Sequence, residues 1–208
     1  MTEYFAEKIT ENTDNVSDMF GGSIANSFVE TMPDPAEEKG ITLWLTGLSC
    51  SGKSTLAAEI KKSFGNKRVQ ILDGDVVRQS MGNIFGYTKK ERLQAAGIYR
   101  MICNLLNEHG VHVIVAAIAG YRELRRQNRE IIKNYNEIYI DCGLDVCIRR
   151  DVKGMYKKAL SGELSHMMGL DEKFDIPEDA DLTINTEKNS VEECVMLINS
   201  WLVSQNKI

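Results

Sequence analysis

The residues best suited to chemistry are Gly47-Leu-Ser-Cys-Ser-Gly52-Lys53-Ser54, a complete G-x-x-x-x-G-K-[ST]. Glycines at its ends let the backbone wrap tightly, so that consecutive N–H groups face phosphate oxygens. A helix opening at Lys53 directs its positive end at the same anion. Lys53 then reaches the β- and γ-phosphates as a point charge, and the Ser54 hydroxyl is the expected ligand for Mg²⁺. The spacing implies an ATP or GTP site built from Gly47, Ser49, Ser51, Gly52, Lys53, Ser54 and Thr55.

What the bound phosphate is used for depends on the residues that follow. A GTPase would carry a base-reading N-K-x-D, which is absent. A motor ATPase would place an acid at the end of a buried strand. The apolar run 111–119 ends in Ala-Ile-Ala-Gly instead. Acids stand after an earlier strand, at Asp73 and Asp75. One can help hold Mg²⁺ through water while the other takes a proton from an attacking hydroxyl; a plain Asp-Gly-Asp turn is the alternative. Arg78 follows, Arg92 opens the next helix, and Arg149-Arg150 precede Asp151-Val-Lys153-Gly154-Met-Tyr156-Lys157-Lys158. A cationic segment that closes over the transferring phosphate excludes water and neutralises developing charge. For any one arginine, a solvated helix face is the competing explanation.

Those groups need a scaffold, and the patterning supplies one. Strands are predicted over 41–46, 69–72, 111–119, 137–141 and 182–185. Helices are predicted over 53–64, 90–109, 122–133, 146–151, 153–161 and 191–205. Strands alternating with helices at this spacing predict an α/β fold: a three-layer P-loop NTPase with a mostly parallel five-stranded sheet and a mobile lid segment.

Composition narrows the rest. The chain has 208 residues, 43% hydrophobic and 26% charged, which excludes a disordered, collagen-like or disulfide-scaffold protein. The net charge of −5 argues against a nucleic-acid binder. Residues 1–40 hold nine acids against two lysines, leaving 23 basic and 21 acidic residues in 41–208. The expected division is therefore an acidic extension, 1–40, and a catalytic body, 41–208. The extension is expected to be a loosely packed arm, or one that packs on the body or a dimer partner near the acceptor cleft. Five cysteines without a CxxC pair suggest reduced, mostly buried thiols. No apolar stretch approaches a membrane span and the N-terminus carries no leader pattern, so a soluble, cytoplasmic protein is expected.

Three blocks together resemble the adenylylsulfate (APS) kinase family: Gly47–Ser54, Leu72-Asp-Gly-Asp-Val-Val-Arg78, and Arg149-Arg-Asp-Val-Lys-Gly-Met-Tyr-Lys-Lys-Ala159. The resemblance runs through 41–205 with the blocks in order. It implies ATP-dependent phosphorylation of the 3′-hydroxyl of adenosine 5′-phosphosulfate to PAPS, with Mg²⁺, in a homodimer. It also implies roles. Asp75, Asp73 and Lys53 are the catalytic set. Arg149 joins the ATP site, and Asp75, Arg78, Tyr87, Arg92, Ile118 and Lys153 contact the second substrate.

The departures fall on the acceptor side. The family's D-R-x-x-N is Glu91-Arg92-Leu93-Gln94-Ala95 here, so a substrate-binding Asn becomes Ala95, which offers no side-chain hydrogen bond. An arginine-rich turn becomes Gly97-Ile98-Tyr99, and F-I-S-P-Y becomes Ala117-Ile118-Ala119-Gly120-Tyr121. Two rings that sandwich adenine in the family correspond to Tyr87 and Met167, so one ring is expected to be missing. Losing one costs on the order of 1–3 kcal/mol. These changes leave a second acceptor open, a cytidine diphosphate conjugate such as cytidine diphosphoramidate. A non-catalytic nucleotide-binding protein is a third possibility, opposed by the presence of Lys53, Ser54, Asp73 and Asp75.

Overall fold

The computed structural model describes residues 39–82 and 84–207. The acidic segment assigned above to an arm lies, up to residue 38, outside the described residues.

Five strands form one sheet: β1 (Thr42–Thr46), β2 (Val69–Asp73), β3 (His112–Ala116), β4 (Tyr135–Asp141) and β5 (Leu182–Asn185), in the order β2-β3-β1-β4-β5. Every pairing is parallel, so the sheet is wholly rather than mostly parallel. β1 sits at the centre, with Thr42 opposite Val113 on one side and Tyr135 on the other. All five residues of β1 and of β3 are buried, as strands covered on both faces must be.

Seven helices accompany them among the described residues: α1 (Lys53–Ser63), α2 (Gly74–Ser80), α3 (Lys89–Glu108), α4 (Arg122–Ile131), α5 (Leu144–Arg150), α6 (Met155–Leu160) and α7 (Val191–Ser204). Side chains alternate across β1 and divide the core. Leu43 and Leu45 pack with Leu56 and Ile60 of α1 and with Ile198 and Leu202 of α7. Trp44 packs on the opposite face with Tyr99 and Cys103 of α3 and Leu124 of α4. A third cluster, Cys142, Cys147, Tyr156 and Met167, lies around α5 and α6.

The two long outer helices start on reciprocal caps. Thr88 accepts from the Glu91 amide while Glu91 reaches back to Thr88, and Ser190 and Glu193 do the same for α7.

Two elements differ from expectation. The apolar run 111–119 leaves the ladder after Ala116 because Ala119 turns into the left-handed region, with φ 45°. The Asp-Gly-Asp stretch is no free turn. Asp73 caps α2 by accepting from the Asp75 and Val76 amides at 2.9 and 3.4 Å.

Candidate active site

At the carboxyl end of β1 the chain turns into the phosphate cradle, beside the point where successive strands go to opposite sides of β1. Gly47 has φ 151°, and a Cβ there would lie 2.6 Å from the Ile140 carbonyl oxygen, so only glycine fits. The loop is braced from outside by residues distant in sequence. The Thr186 hydroxyl donates to Ser51 O at 2.8 Å, and the Tyr156 hydroxyl donates to Ser49 O at 3.2 Å.

Lys53 is 8% exposed, and its ammonium donates to Gly47 O at 3.0 Å, Leu48 O at 2.5 Å and Ser51 Oγ at 3.4 Å. Burial lowers its pKa to about 8, with the nearby Lys153 ammonium adding to the effect. Ser54 Oγ donates to Asp73 Oδ2 at 2.5 Å, which ties the cradle to the end of β2. Burial pushes the Asp73 carboxyl up. The Ser54 hydroxyl, the Asp75 and Val76 amides and the Lys153 ammonium outweigh it and hold the group below its ordinary range. Asp75, one residue into α2, forms an ion pair with Lys153 from the segment between α5 and α6.

These groups open into one cavity of about 450 Å³. Its cradle end is bordered by Ser49, Gly52, Lys53, Ser54 and Thr55, its middle by Asp73, Asp75 and Lys153, and its far end by Arg78, Tyr87, Arg92 and Ile118. At the far end the guanidinium groups of Arg78 and Arg92 stand 4.7 and 5.3 Å from the centre of the Tyr87 ring. Backbone carbonyls fix both arginines. Arg78 Nη1 donates to Phe85 O and Gly86 O, while Arg92 donates to Tyr87 O at 2.7 Å and His166 O at 2.8 Å. Ala95 lies on the wall here, as do Ala117, Ala119 and Gly120.

Three positions stand apart. Gly47 and Ser51 shape the cradle without bordering the cavity. Arg149 points away and pairs with Asp145 on its own helix at 2.7 Å, both side chains exposed. Its neighbour Arg150 turns inward, donating to Thr186 O at 2.7 Å and to Cys50 O at 3.4 Å. Met167, expected opposite Tyr87, borders the cavity but is 2% exposed and packs with Cys142, Cys147 and Tyr156.

Sequence reasoning missed Thr186, Tyr156 and the inward role of Arg150. The position of Thr186 just after β5, at the carboxyl edge of a parallel sheet, was the available signal. All five cysteines are free, four of them buried, with Cys50 half-buried in the cradle. The Ser54 hydroxyl and the Asp73 carboxylate form a hard oxygen pair that suits Mg²⁺, an ion that keeps several waters and binds through one or two carboxylates plus phosphate oxygens. No group of three or more His, Cys, Asp or Glu able to hold a metal occurs among the described residues. None of their helices is long and apolar enough to cross a membrane.

A family model described as adenylylsulphate kinase matches residues 39–185. The adenylyl-sulfate kinase of Synechococcus sp. (strain JA-2-3B'a(2-13)) is 36% identical over 172 residues, covering 82% of this chain and 98% of its own. That of Halothermothrix orenii is 36% identical over 173 residues, 82% of this chain and 94% of its own. The Mycobacterium tuberculosis APS kinase, solved in complex with AMPPNP and APS, superposes with a TM-score of 0.75. It is 31% identical and covers 80% of this chain and 99% of its own. A gluconokinase from Sinorhizobium meliloti, 16% identical with a TM-score of 0.57, shares the fold.

Proposed function

The chain belongs to the adenylylsulphate kinase family, and from that premise we propose that it phosphorylates the 3′-hydroxyl of adenosine 5′-phosphosulfate, giving PAPS. Its general activity follows from the family: ATP-dependent transfer of a phosphoryl group to a hydroxyl. The observation that carries the finer reading is the continuity of the cavity. The cradle, the acids Asp73 and Asp75, and the Arg78–Tyr87–Arg92 cluster all border one space.

In this reading the γ-phosphate lies over Lys53, which leaves its loop carbonyls for the phosphate oxygens. Ser54 and Asp73 would hold Mg²⁺, which would neutralise phosphate charge there. The acceptor nucleoside stacks on Tyr87, whose ring is held in place by Arg78 and Arg92. Its hydroxyl approaches Asp75, whose carboxylate orients it and takes its proton. Lys153 sits on that same carboxylate and brings positive charge to the oxygens in transfer. α5 and α6, joined through Asp151–Gly154, cover the site and exclude water.

One observation favours the second acceptor. No side chain at 95, 117, 119 or 120 can donate a hydrogen bond, and the position of a second stacking ring is occupied by the buried Met167. A cytidine diphosphate conjugate is therefore the competing substrate. A coupled assay of ADP release with APS against a panel of nucleotide conjugates decides between them. Turnover at micromolar APS is the expected result; none at that level, with turnover of a cytidine conjugate, would move the assignment. By family analogy we propose a homodimer, which sedimentation equilibrium tests.

A further inference from the structure

Residues 117–120, between β3 and α4, wall the acceptor half of the cavity. Three of the four carbonyls of this stretch are held by the body. Ile118 O accepts from Thr46 Oγ1 at 2.5 Å and from Gly47 N at 3.4 Å. Ala119 O accepts from Arg125 Nη1 at 3.0 Å, and Gly120 O from Asp175 N at 2.8 Å. The peptides are trans, so each carbonyl points opposite to the N–H that follows it. Drawing these three carbonyls back into the body turns the amides of Ala119, Gly120 and Tyr121 the other way. All three residues are buried, and none of the three amides finds an acceptor among the described residues. Orphaned buried amides are rare, and consecutive ones curved by a left-handed residue form a concavity for an anion.

The curvature comes from Ala119, whose φ of 45° is disfavoured for a residue with a Cβ and has to be held from outside. Arg125 does the holding. Its side chain is 4% exposed, and its Nε lies 3.2 Å from Glu137 Oε1, itself 1% exposed on β4. The Tyr135 hydroxyl donates to Glu137 Oε2 at 3.2 Å and Arg129 stands 3.7 Å from the same oxygen, so the carboxylate is kept beside Arg125 as an ion pair rather than through a hydrogen bond from Nε. Gly120 completes the wall, since a Cβ there would meet Met168 Sδ at 2.7 Å. Unlike the proline of the family pattern, glycine keeps its N–H.

We infer that Arg125 is a positioning residue for acceptor binding: locked by Glu137, it holds Ala119 left-handed and so presents the Ala119 and Gly120 amides to an anionic sulfuryl or phosphoryl oxygen of the acceptor. The inference rests on assigning the Arg92 end of the cavity to the acceptor. It explains how a wall without side-chain donors retains grip on an anion, because backbone donors do not depend on side-chain identity.

The test uses the full chain with the cradle filled by saturating Mg·ADP, and titrates inorganic sulfate, with inorganic phosphate in parallel, while following backbone amide resonances. The Ala119 and Gly120 amides are expected to shift saturably. The anion that binds more tightly identifies the group preferred. Arg125→Met combined with Glu137→Gln removes the donor without stranding a buried charge, and is expected to weaken the apparent Kd at least tenfold. Adding Ala119→Gly, which relaxes the strain, restores part of the response, as a merely structural role for the pair would not. Wild-type amides that stay still in both titrations, or an unchanged Kd in the double variant, would overturn the inference. Should that variant fail to fold, Arg125→Lys, which keeps a charge beside Glu137 but loses the guanidinium fork that also reaches Ala119 O, carries the same comparison, and an unchanged Kd there overturns the inference. Absent APS turnover with the amide shifts intact would remove the proposed acceptor and leave this site standing.

Discussion

Lys53 carries a charge that the free cradle does not welcome. Burial holds its pKa near 8 instead of the ordinary 10.5, while its donors rest on loop carbonyls. Phosphate oxygens in the cradle favour the charged amine, so nucleotide binding raises the pKa and the protein takes up a proton. Uptake is expected to be greatest between about pH 8 and 10 and to vanish near pH 6, where the lysine is already charged. Calorimetry of ADP binding in buffers of different ionisation enthalpy measures it. Equal uptake in Lys53→Met would assign the proton to another group. The two acids differ in what they touch, and their variants should differ accordingly. Asp75→Asn keeps the Asp73 cap and the Ser54 tie, so nucleotide affinity should hold while kcat falls by roughly 10²–10⁴. Asp73→Asn disturbs both contacts and should weaken Mg·nucleotide binding as well. An Asp75→Asn enzyme with unchanged kcat would take the base away from that residue.

Among the elements, the short helix α6 leans on a single side chain. Six residues cannot sustain a helix by propensity, and Asp151 supplies the start by accepting from the Tyr156 and Lys157 amides at 3.0 and 2.9 Å. Asp151→Ala should cost about 1 kcal/mol of local order. Because the segment is largely exposed, the loss is expected in a several-fold higher acceptor KM, with Tm nearly unchanged; a large fall in Tm with normal KM would contradict this. The same element shows where sequence stops being informative. Glycine and lysine chemistry made the cradle legible from Gly47 to Thr55, since local backbone requirements dictate those residues. Arg149 and Arg150 carry the same charge on adjacent positions, about 100° apart around one helix. Which of them turns inward is decided by Thr186 and Cys50, 36 and 100 residues away. The end of β3 was obscured for a related reason. Ala117–Gly120 is as apolar as the strand before it, and the departure from the ladder is enforced by Thr46, Arg125 and Asp175 rather than by its own composition.

For the whole molecule, the net charge of −5 conceals two opposite parts. The cavity is bordered by five cations, Lys53, Arg78, Arg92, Arg150 and Lys153, against Asp73 and Asp75, which is the balance expected of a site for two anionic substrates. Among the described residues, backbone bonding to the body begins at Gly40, whose amide donates to Asn107 O at 2.9 Å and whose carbonyl accepts from Asn134 Nδ2 at 3.0 Å. A chain of residues 39–208 should therefore fold and bind nucleotide as the full chain does. Binding to the native state alone stabilises by about 2.7 kcal/mol at a hundredfold excess over Kd. In a protein of this size that raises Tm by roughly 5–10 °C. Equal shifts with Mg·ADP in the long and short chains are expected, since every cradle contact among the described residues is made by the body. A shift halved in the short chain would mean that the first 38 residues contribute to the nucleotide site and that the boundary near Gly40 is misplaced. The acceptor KM is where an acidic segment lying near the cleft would register: nine acids close to a site for an anion should raise it, and their removal should lower it, more so at low salt.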